Sequence, residues 1–389
     1  MRKFIVFLCS ICMILSINCN VFGEQSLEKE KIQRLLNEYF TEKYEALTKL
    51  EAVDYAKYYH EDLGEESRKL NENITDLVTE YRKDAKEKTA LESYSFEIII
   101  ENIEKDENEY DVKVSEKFKY KYKIAKEETE GITEHEFKLI KEESGNFKIK
   151  EHDNKDRFIE NIKSKLQNSK DYRGTEEEVK QSILDEAREK REKLKKEMKD
   201  VKEEEKKTSS TEDNSSDFVS YNRAEAVKYA KTWAMSRNKR FNNFEGTGGD
   251  CTNFTSQCIN AGGIIMDLEN PHIWKYFSSD WNDSASRNGR SASWTSVMNF
   301  RNYVIKNTEG IGLRANLTED LSGLDKGDIV QIENEHGVVI VDVIYDEEKV
   351  PMDFLIACHS SDRLNESLIL EWPNYAFDKV GIKIKGSYR

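Results

Sequence analysis

The sequence lacks an excess of positive charge and, beyond its first residues, any long apolar run. Lysine and arginine number 61 against 76 aspartates and glutamates, and the resulting net charge of -15 repels phosphate backbones and anionic membranes. Nucleic acid is therefore not an expected partner. Apolar residues make up only 37% of the chain, so long stretches must be solvated helix or linker.

A charged start and a short apolar run mark the N-terminus. Arg2 and Lys3 precede an apolar run over residues 4–17, which is shorter than the roughly 20 residues that a spanning helix needs. We predict a signal peptide over 1–23, and thus a secreted or envelope-associated protein with no stable membrane insertion after cleavage. Lipid attachment at Cys19 is the alternative.

Cysteine is also scarce, and only Cys251, Cys258 and Cys358 follow the predicted signal peptide. An odd number leaves at least one thiol free or bonded between chains, and a free thiol outside the cell is a candidate reactive group. Three small buried hydrophobic side chains are the alternative interpretation. Six residues separate Cys251 from Cys258, a spacing that does not suit a zinc knuckle or ribbon, and no cofactor or metal is predicted.

The period of the apolar residues divides the N-terminal half. Residues 26 to 91 follow helical spacing, whereas 94–153 alternate apolar with charged residues and predict four antiparallel strands in a meander. This order of elements resembles the cone-shaped cystatin-like and nuclear-transport-factor-like folds, which serve as pockets or docking modules. We predict a separate N-terminal α+β module over 24–160.

A charge-dense segment follows this module. Residues 161–207 are predicted as a helical spacer, because Glu and Lys or Arg mix at helical spacings around a thin apolar stripe. The stripe consists of Ile183, Ala187, Leu194, Met198 and Val201. A polar linker is predicted over 208–219, and all five tryptophans lie in the C-terminal domain predicted over 220–389.

One stretch of this domain, GGDCTNFTSQCINAGG over 248–263, predicts a helix with a cysteine at its start. Asp250 is a suitable N-cap, Cys251 is then the first helical residue, and two glycines end the helix. A thiol at the positive end of a helix dipole has its pKa lowered, and its thiolate can attack a carbonyl. Cys251 is therefore the candidate nucleophile, whereas Cys258 is predicted to be core.

A thiolate nucleophile needs a base, and two histidines of this domain lie at strand ends. His336 begins one predicted strand and His359 ends the next. In the register that we predict for this antiparallel pair, the two imidazoles face each other. A base that a second polar group holds in place is the arrangement that nucleophilic catalysis requires.

Several segments of the C-terminal domain resemble one known family. They are GGDCTNFTSQCINAGG, YNRAEAVKYAKTW, SWTSVMNFRNYV, KGDIVQI and HGVVIVDV. They resemble the amidase domain of secreted bacterial proteins, a relative of the NlpC-type and CHAP peptidoglycan hydrolases, over roughly 220–388.

The resemblance implies a papain-like α+β fold, in which a nucleophile helix packs on an antiparallel sheet. Cys251 would be the nucleophile and His336 the general base. The residue that orients the base falls on His359, with Asp362 and Asn365 as substitutes. Gly337 departs from the family, in which Ser or Ala is expected after the histidine.

The leading hypothesis is a secreted cysteine amidase or peptidase that cleaves peptide amides of cell-wall peptidoglycan, with about the first 200 residues as a spacer or docking module. The alternative is a non-catalytic envelope protein that binds a wall peptide or a partner. Four aromatic residues either line a substrate groove or belong to the core, and the core is the simpler interpretation. They are Trp274, Tyr276, Trp281 and Trp294.

Overall fold

The structure, a computed structural model, describes residues 2–83, 89–168, 175–205, 217–269, 271–309, 311–370 and 379–389, with side chains omitted for 2–25 and 200–205. These ranges contain eight α-helices and eleven β-strands. The helices are α1 (Arg2–Lys49), α2 (Glu65–Lys83), α3 (Glu160–Gln167), α4 (Glu176–Glu205), α5 (Arg223–Trp233), α6 (Cys251–Ala261), α7 (Ala292–Thr295) and α8 (Val297–Lys306). The strands are β1 (Leu91–Asp106), β2 (Glu109–Tyr122), β3 (Thr129–Lys141), β4 (Phe147–Asn154), β5 (Phe218–Ser220), β6 (Gly312–Thr318), β7 (Ile329–Ile332), β8 (His336–Tyr345), β9 (Pro351–Cys358), β10 (Arg363–Ser367) and β11 (Lys379–Tyr388).

The four strands predicted in the N-terminal half are confirmed. β1 to β4 pair in chain order and antiparallel, and their alternating apolar residues bury one face beneath α1, while α2 contacts β4. The side chains of the predicted signal peptide and of Cys19 lie outside the described residues. Of the helices described here, none has the length and apolar character needed to cross a bilayer.

The eleven described strands form one sheet that crosses the predicted domain boundary. β3 pairs with β10 through Gly131 and Arg363, and β9, β8, β7 and β11 follow in that order. β5 and β6 both pair with β11. The chain is therefore α+β with an antiparallel sheet, as predicted, and its two halves share backbone hydrogen bonds.

Helices cover both faces of the C-terminal strands. Val339 and Val341 of β8 belong to an apolar cluster with residues of α5, α6 and α8. Val338 and Ile340, which point the other way, belong to a cluster with residues of α2, α3 and α4. Because successive side chains of a strand alternate between faces, β8 packs against helices on both faces of the sheet.

The charged helix predicted as a spacer packs against this sheet. Four residues of its apolar stripe are buried, and the helix contacts α2, α3 and β9. The buried residues are Ile183, Ala187, Leu194 and Met198. The side chain of Val201 lies outside the described residues, as does most of the predicted linker, whose last residues enter β5. Burial of the stripe explains why so charged a segment keeps regular apolar positions.

Candidate active site

Cys251 is the first residue of α6, as the sequence predicts. The loop before it contains Gly248 and Gly249, with φ angles of 115° and 100°. These angles favour glycine, and a Cβ added at Gly249 would also lie only 3.2 Å from Ser360 Oγ. Glycine at this position therefore lets the loop pass close to the corner after β9 and places Cys251 beside that corner.

Asp250 occupies the N-cap position, but its carboxylate does not cap the helix. One oxygen accepts hydrogen bonds from the Phe244 N–H at 3.1 Å and from Asn253 Nδ2 at 2.8 Å. The other oxygen lies 2.6 Å from His359 Nδ1 and 3.3 Å from Arg237 Nε. The N–H groups of the first helical turn therefore receive no cap from the Asp250 side chain.

The thiol of Cys251 lies beside the first residues of β8. Its Sγ is 3.9 Å from the carbonyl oxygen of Glu335 and 3.8 Å from Thr252 Oγ1. Burial raises the pKa of the thiol above its usual value, although the N–H of Gly337 and the charge of Arg157 act in the opposite direction. The prediction of a lowered pKa is therefore wrong for this arrangement, because the desolvation cost outweighs the helix terminus.

His336 begins β8 next to these contacts, but its ring lies on the face away from α6. It shares its face with Val338 and Ile340, which pack with α3 and α4. Gly337 faces α6 instead, since a Cβ added there would lie 3.6 Å from Thr255 Cγ2. That distance is an ordinary contact, so packing does not require glycine where the family resemblance implies Ser or Ala.

The ring of His336 is buried without a hydrogen bond. Phe158 meets it edge-on, with ring centroids 5.9 Å apart, and neither ring nitrogen has a partner among the described residues. Burial, with the positive charges of Arg157 and Arg363, lowers the pKa of His336 to about 3. The imidazole is therefore neutral, and both of its nitrogens are free to bond to something else.

His359, just beyond β9, is bonded through both ring nitrogens. Nδ1 faces Asp250 at 2.6 Å and Nε2 lies 2.9 Å from the carbonyl oxygen of Trp233. The ring also stacks on Phe254 of α6, with centroids 4.0 Å apart. His359 thus holds the start of α6 in place.

The predicted register of β8 and β9 is wrong by one residue. Val339 pairs with Ala357 and Ile340 with Ile356, so the same register continued outward places Ser360 opposite His336. A shift of one residue moves a side chain to the other face of a sheet. His336 and His359 consequently lie on opposite faces and do not contact each other.

The two substitutes for the third site residue are also bonded elsewhere. Asp362 accepts two hydrogen bonds of 2.8 Å from Arg237. Asn365 donates to the carbonyl oxygen of Glu128 at 2.9 Å. Neither these residues nor His359 hydrogen-bonds to His336, so the orienting role stays a prediction for all three.

Cys251 lines an open cleft of ≈ 510 Å³. The cleft walls are formed by the glycine loop before α6, by α7 and α8, by Glu335 in the β7–β8 turn, and by the arginines Arg157 and Arg290. Arg157 precedes α3 and so belongs to the N-terminal half of the chain. The cleft therefore lies between the predicted modules. Within the described residues, no three His, Cys, Asp or Glu side chains converge in a way that could hold a metal ion.

Polar side chains of α6 that follow Cys251 form hydrogen bonds to aromatic residues around the helix. Asn253 Oδ1 accepts from the indole N–H of Trp294 at 3.0 Å, and Ser256 Oγ accepts from that of Trp274 at 3.1 Å. Gln257 Oε1 accepts from the Tyr229 hydroxyl at 2.7 Å. These hydrogen bonds connect α6 to its surroundings. They also satisfy polar groups that would be costly to bury without a partner.

The alternative core interpretation of the aromatic residues is confirmed for three of the four. Trp274, Tyr276 and Trp294 are buried in the cluster that packs on α6, whereas Trp281 is 72% exposed. Cys258 is fully buried as predicted, and burial raises its pKa well above the usual value.

Sequence reasoning missed three residues that shape the site. They are Arg157, Arg237 and Ser360, and two of them, Arg157 and Ser360, lie about a hundred residues from Cys251 in the sequence. Ser360 Oγ accepts from the Asp250 N–H at 2.7 Å and donates to Glu245 Oε1 at 2.9 Å. No local pattern marks such residues, since only the pairing of β9 with its neighbours brings them to the glycine loop.

Comparison with known proteins supports the family resemblance. Residues 220–379 match the family described as "Putative amidase domain", which indicates hydrolysis of amide bonds. The uncharacterized protein YhbB of Bacillus subtilis (strain 168) is 34% identical over 113 residues, which is 28% of this chain and 32% of YhbB. The uncharacterized protein YjcM of the same strain is 26% identical over 152 residues, or 37% of this chain and 32% of YjcM. The chain thus matches about a third of the length of each relative, and no solved structure matches it.

Proposed function

We propose that residues 220–389 form a cysteine amidase that cleaves peptide amides of bacterial cell-wall peptidoglycan outside the cell. The observation that carries this proposal is the position of Cys251. It is the first residue of an uncapped helix, at the wall of an open cleft, within the segment that matches the amidase family. A nucleophile at this position attacks a carbonyl while helix N–H groups face the developing oxyanion.

The proposed reaction begins when His336 accepts the proton of the Cys251 thiol, and the thiolate then attacks an amide carbonyl. The N–H of Cys251 stabilises the oxyanion, and collapse of the tetrahedral intermediate breaks the C–N bond as His336 protonates the leaving amine. Water, deprotonated by His336, then hydrolyses the thioester and regenerates the thiol.

His336 is the better candidate base of the two histidines. Both nitrogens of His359 are already bonded, whereas those of His336 have no partner in the described part of the chain. The backbone on either side of His336, at Glu335 and Gly337, adjoins the Cys251 thiol. The described arrangement holds an uncharged thiol and a neutral imidazole. The ring of His336 lies beside Phe158, on the face of β8 away from α6. Catalysis through this pair therefore requires the ring to leave that position and approach Cys251.

His359 acts as a positioning residue in this proposal. It binds Asp250, which in turn binds the loop residue Phe244 and the α6 residue Asn253. His359 would thus orient α6, the helix that begins with the proposed nucleophile, and would leave the ring of His336 free to move.

Digestion of purified peptidoglycan tests the proposal, with Cys251→Ala as the control and mass spectrometry of the released fragments. We expect fragments only from the chain with Cys251. The new chemical ends distinguish a sugar-peptide amidase from a peptidase of the stem or cross-link. Equal release by both proteins would contradict cysteine catalysis.

A second candidate function is a non-catalytic envelope protein that binds a wall peptide in the same cleft. The raised pKa of Cys251 and the separation of its thiol from the His336 ring favour this alternative. Alkylation by iodoacetamide near neutral pH separates the two. An activated Cys251 reacts far faster than an unperturbed cysteine, whereas a slow rate with and without wall peptide favours the binder.

Export is part of the proposal, and it rests on the predicted signal peptide over 1–23. The three cysteines beyond it form no disulfide in the structure. Mass spectrometry of the protein recovered from the culture medium should give a chain that begins at Glu24. A chain found only inside the cell with Met1 intact would contradict export, and a lipid attached at Cys19 would favour the lipoprotein alternative.

A further inference from the structure

One wall of the cleft comes from outside the segment that matches the amidase family. Arg157 lies between β4 and α3, yet its side chain lines the cleft together with Cys251. The guanidinium approaches the glycine loop, since a Cβ added at Gly249 would lie 3.6 Å from Arg157 Nη2. The N-terminal half thus contributes a positive charge to the proposed active site.

The segment that carries Arg157 is anchored on both sides. Asp156 forms a buried ion pair of 2.6 Å with Arg363 of β10. Asn161 donates a hydrogen bond of 2.8 Å to Glu333 in the β7–β8 turn. The Arg157 N–H itself donates to Ser361 Oγ at 3.4 Å. The backbone of Arg157 is therefore held against the cleft before any ligand arrives, which lowers the entropic cost of binding.

The guanidinium of Arg157 has no hydrogen-bond or ion-pair partner among the residues that the structure describes. The other arginine of the cleft, Arg290, is already bonded to the Ser279 carbonyl oxygen at 3.1 Å and to Thr295 Oγ1 at 2.7 Å. Arg157 is exposed and keeps its planar donor fork available. Such a fork matches a carboxylate by two parallel hydrogen bonds.

We propose that Arg157 forms a carboxylate-binding subsite, which selects peptides that carry a free carboxylate close to the scissile amide. The net charge of the whole chain is -15, so general attraction does not draw anions to it and the selectivity must come from local contact. The assignment rests on the proposed function, because a peptide amide in the cleft is what brings such a carboxylate to Arg157.

The charge of Arg157 also acts on the two groups of the proposed reaction. It lowers the pKa of Cys251, against the larger effect of burial, and it adds to the burial that lowers the pKa of His336. A bound carboxylate that neutralises Arg157 weakens both effects. A bound carboxylate would thus favour protonation of His336 and disfavour the thiolate of Cys251, so the proposed selectivity rests on contact with Arg157 and not on these two pKa values.

The test measures binding to the full-length Cys251→Ala protein, so that turnover does not interfere. The probes are N-acetylmuramoyl-L-alanyl-D-glutamate and the same compound with its α-carboxylate converted to a carboxamide. By calorimetry we expect the free acid to bind roughly tenfold more tightly, since one charge-assisted hydrogen-bonded pair is gained. Adding Arg157→Ala should abolish the preference, and adding Arg157→Lys should leave part of it, because charge remains without the fork.

The matched control is Lys155→Ala, also in the Cys251→Ala background. It removes a positive charge two residues away, on a side chain that pairs with Glu136 and does not line the cleft. We expect this variant to keep the tenfold preference. Thermal unfolding of each variant shows whether the segment remains folded.

Three outcomes would overturn the subsite: equal binding of the two probes, binding of neither, or a preference that survives Arg157→Ala. Peptidoglycan digestion with Cys251 present is measured separately. Cys251-dependent hydrolysis without a carboxylate preference overturns the subsite alone. A preference that depends on Arg157, without any hydrolysis, supports the subsite and overturns the amidase in favour of the peptide binder.

Discussion

Two histidine clusters lie along the same continuous sheet, and they differ in how completely their polar atoms are bonded. In the N-terminal half, His135 Nε2 lies 3.0 Å from Glu116, and His135 Nδ1 lies 2.9 Å from His152 Nε2. His152 Nδ1 lies 3.0 Å from the Tyr39 hydroxyl, and Lys43 pairs with Glu116 at 2.9 Å. In the C-terminal half, neither nitrogen of His336 has a partner among the residues that the structure describes.

The direction of every hydrogen bond in the N-terminal cluster follows from chemistry. Lys43 and His135 lower the pKa of Glu116 despite its burial, so the carboxylate is ionised and only accepts. Burial lowers the pKa of His135 and of His152, so both rings are neutral. His135 therefore donates to Glu116 and accepts from His152, which accepts from Tyr39. These hydrogen bonds occupy the polar atoms of the cluster, so we assign it a structural role.

The two histidine clusters differ in whether their polar atoms have partners within the protein, and atoms that lack such partners are the ones to examine for function. The N-terminal cluster is closed, since each of its polar atoms has a protein partner. Beside Cys251, the His336 nitrogens and the Arg157 guanidinium have none within the described residues. Buried or oriented polar groups that lack partners carry a cost in stability, and a substrate that bonds to them offsets it.

The largest expected effect comes from Cys251→Ala. It should reduce peptidoglycan hydrolysis at least about a thousandfold while the fold remains stable, because it removes the proposed nucleophile and little buried area. Cys258→Ala is the matched control in the same helix and should retain activity. The rate of fragment release checks both. Similar losses in the two variants would mean that α6 had simply unfolded.

The next largest effect should come from Glu116→Ala in the closed cluster. It leaves the ammonium of Lys43 and the ring of His135 without their shared acceptor, at a cost of about 3–5 kcal/mol in the free energy of unfolding. Urea unfolding measures the change, with Glu97→Ala on the exposed face of β1 as control. A loss below about 1 kcal/mol would contradict the structural role of the cluster.

A pair of variants compares the two histidines near Cys251. His359→Ala should cost about 3 kcal/mol in stability, because Asp250 and the Trp233 carbonyl lose their partner. His336→Ala should change stability by less than about 1 kcal/mol, since the loss of packing is offset by the removal of two unbonded nitrogens. Yet His336→Ala should abolish hydrolysis. Urea unfolding and fragment release check the pair, and the opposite ranking in stability would overturn the contrast.

The effect that is smallest at neutral pH is a pH dependence of stability, which develops only as the solution becomes acidic. The pKa of His336 is about 3 in the folded chain and 6.5 as its ordinary value, so the unfolded chain binds one more proton between these values. Stability therefore falls as pH decreases from 6.5 to 3, by up to about 1.4 kcal/mol per pH unit for this group. Other groups titrate in the same range, but His336→Ala should remove this part of the slope. Urea unfolding at several pH values measures the difference, and identical slopes would contradict burial of a neutral His336.

Much of the local structure could be predicted from periodicity alone. The N-terminal meander, the helix that begins at Cys251 and the strand that begins at His336 lie where the sequence predicts them. Each depends on neighbours in sequence: alternation for strands, an Asp before and glycines after for the helix. The charged helix over 176–205 was likewise evident from its spacing, but the surface that it covers was not.

The candidate site was only partly predictable, because it depends on register and on remote segments. β8 and β9 contain bulges near Asp342 and Tyr345, which no sequence pattern marks, and the pairing differs by one residue from the predicted one. That single shift separates His336 from His359. The Asp250–His359 pair, by contrast, joins residues 109 positions apart and has no local signal.

By itself, the sequence determined which residues are candidates for reactive chemistry, since a cysteine at a helix start and a histidine at a strand start are local features. Only the tertiary structure decided which face each ring occupies, what burial does to each pKa, and that Arg157 of the N-terminal half lines the cleft beside Cys251. The physical reason is that register, desolvation and contact between distant segments arise from packing of the whole chain, and neighbours in sequence do not encode them.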